Sequence, residues 1–429
     1  MSSDITAMPA PAADAGKSPE RLLAERTRRL EDAYALRRPD RIPIFMGASY
    51  FLAQWGGITH QRLLEDHDMR QRLLERAALH FQPDSIFGVF NDPGAALALG
   101  DRMTKWPGHG LPATGSFQFA EHEFMTADDY DAFLRDPSDW AVRSYLPRAF
   151  EKLEGLALLP PLAMAAFGTY NLLNLGVLAS PPVATALQAI VAAGEEQAAA
   201  DARMAESMRR LAELGFAPPP LAGALIEAPF DFMSDTLRGM RGIMLDIMRR
   251  PEQLLAAEQR VLDYQIEHAV AFAGATGLRR AFIPLHRGSD GFMSLAHFER
   301  FYWPQLKEML LRLVAADITP VVFYEGVWNE RLGYLAELPR GKTIGYFQGG
   351  DIVKIKQVLG GTMCIMGGMR NSLLQTGTVE AVRETTRKVC EVAGDGGGFV
   401  MTTGIGEMEG CRTELVEAWV RATHEFGGG

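Results

Sequence analysis

The chain has 429 residues, 47% of them hydrophobic, so it can bury a large core. Its formal charge of -10 leaves no basic stripe to neutralise phosphates, which argues against a nucleic-acid binder. No apolar run is long enough to span a bilayer. The three cysteines, Cys364, Cys390 and Cys411, lack any CxxC pattern, and no HxxxH spacing occurs, which suits a cytoplasmic protein without disulfides or a thiolate zinc site.

Residues Met1 to Lys17 are rich in Ala, Pro and Ser and read as a disordered tail rather than a signal peptide. Ser18 to Leu36 reads as a charged amphipathic helix with Ser18 as N-cap and Pro19 at its first position. Arg41 to Phe45 is the first expected strand. The loop Gly47 to Gly57 follows, with Tyr50, Phe51 and Trp55, and then a helical run from His60 to Phe81. The second strand, Ser85 to Phe90, ends in the turn signal Asn91-Asp92-Pro93.

The segment about 151–220 reads as a helical insertion. Leu158 to Phe167 is apolar with prolines, and Pro182 to Leu214 is Ala-rich and helical, a plausible homodimer face. Leu221 to Glu227 is the third strand, followed by Ala228-Pro229-Phe230-Asp231. Helices then cover Arg241 to Met248 and Leu254 to Gly274. Strands four to eight are Ala281 to Leu285, Pro320 to Tyr324, Thr343 to Phe347, Met363 to Met366 and Phe399 to Thr402, with helices between them. Gly427 to Gly429 is expected to fray.

Short apolar strands separated by helices describe an α/β chain with parallel strands. Eight of them predict a (β/α)8 TIM barrel over residues 18–429, with an N-terminal helical extension and the helical insertion. The mouth at the C-terminal ends of the strands is where such barrels do chemistry. Polar residues follow the strands at just these places. His286 can move a proton near neutral pH, and Arg287 beside it can grip a carboxylate in bidentate fashion. Glu325 lies in Phe-Tyr-Glu-Gly-Val-Trp; a carboxylate desolvated among aromatics suits a general acid, and the alternatives are a metal ligand, together with His286, or an ion pair with Arg287 or Arg370. Gln348 is placed to hydrogen-bond a ligand. Arg370-Asn371 follows Gly367-Gly368, where the backbone can approach a ligand closely. Asp92 and Asp231 either face the mouth or cap local turns. Arg238 can hold an anion or an internal salt bridge, and Asp351 reads as an N-cap. Tyr50, Trp55, Tyr324 and Trp328 are candidate walls of an apolar pocket.

These blocks resemble the uroporphyrinogen decarboxylase superfamily, which includes the corrinoid-linked methyltransferases. The blocks are RIPIF at 41–45, FQPDSIFGVFND at 81–92, APFDFMSDTLRG at 228–239, FMSLAHFERFYWPQLK at 292–307, LLQTGTVEAV at 373–382 and TELVEAWVRATHEFG at 413–427. The resemblance implies a (β/α)8 barrel and assigns Asp92 to the position of the family's catalytic aspartate. Two departures narrow the function. The decarboxylases carry an arginine-rich RQAGR segment where this chain has GASYFLAQWGG (47–57). The zinc-dependent methyltransferases carry ligands where this chain has Phe323, Glu325 and Ile405, of which Phe and Ile cannot bind zinc.

The resulting expectation is a lyase of the uroporphyrinogen-decarboxylase type acting on a small, partly apolar carboxylate rather than on uroporphyrinogen. Arg287 or Arg370 holds the carboxylate, and Asp92, His286 or Glu325 moves the proton. No metal and no organic cofactor is expected. The alternatives are a methyltransferase exchanging a methyl group with a corrinoid protein or folate, and an inert ligand-binding barrel.

Overall fold

The computed structural model describes residues 8, 11, 14–89, 92–166, 172–404 and 408–428. All eight expected strands are present: β1 Phe45–Gly47, β2 Ser85–Phe87, β3 Ala224–Leu225, β4 Arg280–Leu285, β5 Thr319–Tyr324, β6 Ile344–Phe347, β7 Cys364–Gly368 and β8 Phe399–Thr402. Strands β3 to β8 form one sheet in chain order, parallel throughout. Strand β1 pairs in parallel with β2, and a parallel bridge from Ile44 to Met401 joins this pair to β8. The fold is a TIM barrel.

The strand β1 lies later than the apolar run 41–45 suggests. Arg41 and Ile42 are taken by the end of the chain: Arg41 bridges Gly428, and the Ile42 N–H donates to the Gly427 carbonyl at 2.9 Å. Gly427 and Gly428 are therefore held rather than frayed, and Gly429 is outside the described residues. The run His60 to Phe81 splits into His60–Glu65 and His67–Phe81, because Asp66 leaves the helix and caps the second piece.

Side chains alternate across a strand, so every second residue faces the barrel interior. The register turns this rule into layers. Phe282, Val321, Ile344 and Cys364 stand opposite one another, and Pro284, Phe323, Tyr346, Met366 and Val400 form the next layer. All but Pro284 belong to one buried cluster. The expected N-terminal helix is α1, Pro19–Tyr34, capped by Ser18 and followed by a turn; it adds Leu30, Ala33 and Tyr34 to the same cluster. Each large aliphatic or Phe side chain in the cluster contributes about 1.5–3 kcal/mol by leaving water.

Beside this core lies a set of buried charges. Asp84, at the start of β2, accepts from Arg29, from Arg41 at 3.0 Å and from the Ile44 N–H at 2.8 Å. Arg29 also binds Asp40 through two nitrogens, at 2.8 and 2.6 Å. Arg41 reaches Asp14 at 3.1 Å and His424 at 3.2 Å. Burial pushes the Asp84 carboxyl up, but the charges of Arg41, Arg29 and Arg26 outweigh it and bring it to about 2. Burial and the Arg41 charge push the His424 imidazole down to about 4. Asp14 is thus a fixed part of the fold, although the sequence placed it in a disordered tail.

The chain divides into two compact units. The barrel unit comprises Met1–Phe90, Glu206–Ala228 and Leu262–Gly429; the second comprises Asn91–Ala205 and Pro229–Val261. The second unit therefore starts earlier than the insertion expected at 151–220 and takes in a segment after β3. It holds three short strands, in the order Gly110–Leu111, Thr104–Pro107, Gln118–Phe119. Leu153, Leu156, Val183 and Ala186 form its apolar cluster. Arg238 is buried in an internal salt bridge to Asp246 at 2.5 Å, and Tyr130 donates to the same carboxylate at 2.9 Å. Among the described residues no helix is long and apolar enough to cross a membrane.

Candidate functional site at the barrel mouth

The inward series of β4 runs Phe282, Pro284 and then His286. That of β5 runs Val321, Phe323 and then Glu325, and that of β6 runs Ile344, Tyr346 and then Gln348. One step beyond the apolar layers, the barrel presents a polar layer at the C-terminal ends of three adjacent strands. His286 Nε2 lies 3.7 Å from Glu325 Oε2, and their side chains are 31% and 44% exposed. The Glu325 carboxylate is thus wetter than its aromatic sequence neighbours suggested.

Three contacts fix this pair. Gln348 Oε1 accepts from the Gly326 N–H at 2.7 Å. Gly326 has φ +76°, which lets the chain turn sharply after Glu325. Trp328 Nε1 donates to the Glu325 carbonyl at 2.8 Å. Trp328 also presses against Gly288, where a Cβ would come within 2.3 Å of the indole, so the turn after His286 tolerates no side chain there.

Tyr324 and Trp328 stand behind the mouth rather than on its surface. Both are buried; Tyr324 stacks on Phe347 at 4.6 Å and meets Trp328 edge-on at 5.0 Å. Tyr324 points out of the barrel by the same alternation that points Glu325 in, and Trp328 packs against it from the loop after β5. Trp55 is buried against His80 and Phe81 in the helical layer, with Arg76 over its ring. Tyr50 is buried and stacks on His60 at 4.3 Å. The four aromatics therefore do not form one apolar wall. Arg287 lies over the Phe292 ring at 5.3 Å.

Arg370 and Asn371 share an open groove with Gln348, Gly349, Ser372, Gln375 and Glu409; its volume is about 590 Å³. Arg370 is exposed and has no ion-pair partner among the described residues. It precedes the short helix Asn371–Thr376, and the glycines before it have φ +145° and +103°. Glu409 and Gln375 escaped the sequence reading. Gln375 sits four residues after Asn371, on the same helical face, which was the available signal. Glu409 carried none, because its turn is positioned by distant groups. Gln375 donates to the Glu409 carbonyl at 2.8 Å, and Gln54 accepts from the Gly410 N–H at 3.0 Å.

Asp92 and Asp231 belong to the second unit. Asp92 accepts from the Gly94 N–H at 3.1 Å and from Arg203 at 3.3 Å, as a turn-capping aspartate does. Asp231 is fully buried. Glu258 is also fully buried, and burial followed by the Asp231 charge pushes its carboxyl well above the usual range.

Among the described residues no three His, Cys, Asp or Glu side chains stand together as metal ligands would. Phe323 is packed in the inner layer, and Ile405 lies outside the described residues. The three thiols are buried and joined in no disulfide, and burial pushes Cys390 up to about 12. A thiolate zinc centre does not fit these residues.

Barrel and mouth together define the class: a (β/α)8 barrel with its polar residues gathered at the C-terminal ends of the strands. The family model of uroporphyrinogen decarboxylase (URO-D) matches residues 179–426, and the chain belongs to that family. Among solved structures it is similar to a methyltransferase from Methanosarcina mazei, at 16% identity, TM-score 0.58, and coverage of 94% of this chain and 98% of that one. At that identity the likeness is one of fold. A comparison with curated proteins gives no match.

Proposed function

We propose that this protein is an enzyme of the decarboxylase type, a lyase acting on a small carboxylate other than uroporphyrinogen. The observation that carries the proposal is the exposed His286–Glu325 pair in the first polar layer above the barrel core. Loss of CO₂ breaks a carbon–carbon bond and leaves its electron pair on carbon, which must take up a proton. A protonated His286 would deliver it, and the Glu325 carboxylate would hold the imidazole in place and stabilise its charged form. Arg370 would anchor a carboxylate that is kept, since a guanidinium on the departing one stabilises charge that must be lost. The groove is lined by polar residues but exposes apolar as well as polar surface, in keeping with a small, partly apolar carboxylate. Uroporphyrinogen is set aside because residues 47–57 offer no arginine to its carboxylates.

The second reading is methyl transfer to or from a corrinoid protein or folate, in which the same pair would protonate the demethylated leaving atom. The fold it shares with a methyltransferase supports it. An inert barrel would lock Glu325 in a buried ion pair, and the carboxylate here is 44% exposed. We place the protein in the cytoplasm, with Leu187, Ile190 and Val191, exposed on the Ala-rich helix, as the face for a homodimer.

The test is a panel of small, partly apolar carboxylates incubated in D₂O. Release of CO₂ with one deuterium gained at the carbon that lost it is the expected result. Methylcobalamin formed from cob(I)alamin and a methylated substrate, without CO₂, would instead establish the second reading. Neither product from any compound would count against an enzyme.

A further inference from the structure

We infer that Asp290 is a positioning residue for the mouth: by tying the loop after β4 to the loop after β5, it sets His286 against Glu325. The inference rests on reading that pair as the working groups of the site, but not on which reaction they perform. His286 and Glu325 are the first residues beyond the ladder that joins these two strands, whose last paired positions are Leu285 and Tyr324. A ladder fixes the spacing of two chains only where its hydrogen bonds run. At 3.7 Å the two side chains do not hold one another either. Their spacing must be held from the far side as well, by the loops that follow them.

Asp290 supplies that hold. Its N–H donates to the Val327 carbonyl at 2.8 Å, and its carboxylate accepts from the Glu330 N–H at 3.2 Å. The same carboxylate pairs with Arg331 Nη1 at 3.1 Å. Arg331 is buried and is itself fixed. Its Nη2 donates to the Met293 carbonyl at 2.7 Å, back in the segment that follows β4, and its guanidinium lies over the Phe298 ring at 5.1 Å. The exposed Glu330 carboxylate reaches Arg331 only at 3.7 Å, so Asp290 is the close anion. Nearer the mouth the two loops pack without room to spare. A Cβ on Gly288 would run into the rings of Trp328 and Tyr302, and one on Gly326 would meet Ser289 at 3.3 Å. The Trp328 indole then carries the tie back to the Glu325 carbonyl, at 2.8 Å. None of these Asp290 contacts is with the His286 or Glu325 side chain, so Asp290 acts through the two backbones. Locked supporting groups behind a loosely met pair are what hold such a pair in working geometry.

The experiment is NMR of the full chain labelled with ¹³C at histidine Cε1, the His286 resonance being assigned by its loss in His286→Gln. In the parent, Glu325→Gln should displace that resonance, because it removes a charge beside the ring. In Asp290→Ala the same Glu325 change should displace it by about half as much or less, the mark of two groups whose coupling depends on a third. Asp290→Asn keeps the shape and an acceptor for the Glu330 N–H, and should give a smaller reduction; it decides the matter if Asp290→Ala does not fold. Asp290→Ala should also lower the melting temperature, since the buried Arg331 loses its close anion. A purely structural Asp290 would do that alone. An undiminished displacement in the folded variants would therefore overturn the inference, however far the melting temperature falls. No displacement in the parent would remove the pair itself, and with it both the inference and the proposed function. A displacement lost with Asp290, in a protein that releases CO₂ from no compound, would leave the positioning role standing and remove the decarboxylase.

Discussion

The charged groups near the apolar core and those at the mouth of the same barrel are built on opposite principles. Asp84, Arg29 and Arg41 are buried, and each contacts at least two partners. At the mouth, His286 and Glu325 meet loosely at 3.7 Å in partial contact with water, and Arg370 has no ion-pair partner among the described residues. A buried charge must be satisfied completely or the fold loses several kcal/mol, so that set is tied to stability. A charge meant for a ligand must be left incompletely satisfied, so the mouth contributes little to stability. The contrast follows the rule that conserves a barrel's chemistry at its C-terminal end.

The largest effect is expected in the buried set. Asp84→Asn leaves two guanidinium groups without their shared anion and should destabilise the fold by about 3–5 kcal/mol in urea unfolding. The pH dependence has a definite sign. Asp84 is held at about 2, below the ordinary 3.8, so its contribution is complete above pH 3.8 and disappears as pH falls through 2. His424 acts at higher pH. An unfolded chain takes up this proton near 6.5, whereas the folded imidazole resists until about 4, so stability declines as pH drops through that window. His424→Gln should flatten the decline; an unchanged slope would show that His424 is not the group responsible.

The mouth should respond in the reverse way. Glu325→Gln should lower turnover by roughly 10²-fold, the scale for losing acid–base help. Its stability should stay within about 0.5 kcal/mol, as for a surface substitution. A sharp fall in melting temperature with turnover intact would make Glu325 a structural group and erase the contrast. The smallest effect is expected of Trp328→Phe. It removes the hydrogen bond to the Glu325 carbonyl but keeps most of the aromatic packing, and should cost about 1 kcal/mol with a modest loss of turnover.

The sequence made the barrel legible because each apolar run had strand length and each gap had helix length. The mouth was partly legible for a related reason: a polar residue at the next inward position after an apolar series stands out, as His286, Glu325 and Gln348 do. The aromatic residues misled because Tyr324 is adjacent to Glu325 in sequence but on the opposite face of β5, where it stacks on Phe347. Asp14 looked like part of a disordered tail because its partners, Arg41 and Arg26, lie elsewhere in the chain. Glu409 was invisible for the same reason, being set by Gln54 and Gln375. Local pattern reveals elements and facing, whereas long-range polar pairing leaves no local trace.

The most direct test of proton transfer by the His286–Glu325 pair is a double-mutant cycle on turnover of the first carboxylate found to release CO₂. If the two act as one unit, His286→Gln, Glu325→Gln and the double variant should each lose roughly 10²-fold, because removing either partner already disables the pair. Losses that multiply to about 10⁴-fold would show two independent roles, and full turnover in the double variant would place the chemistry elsewhere in the protein.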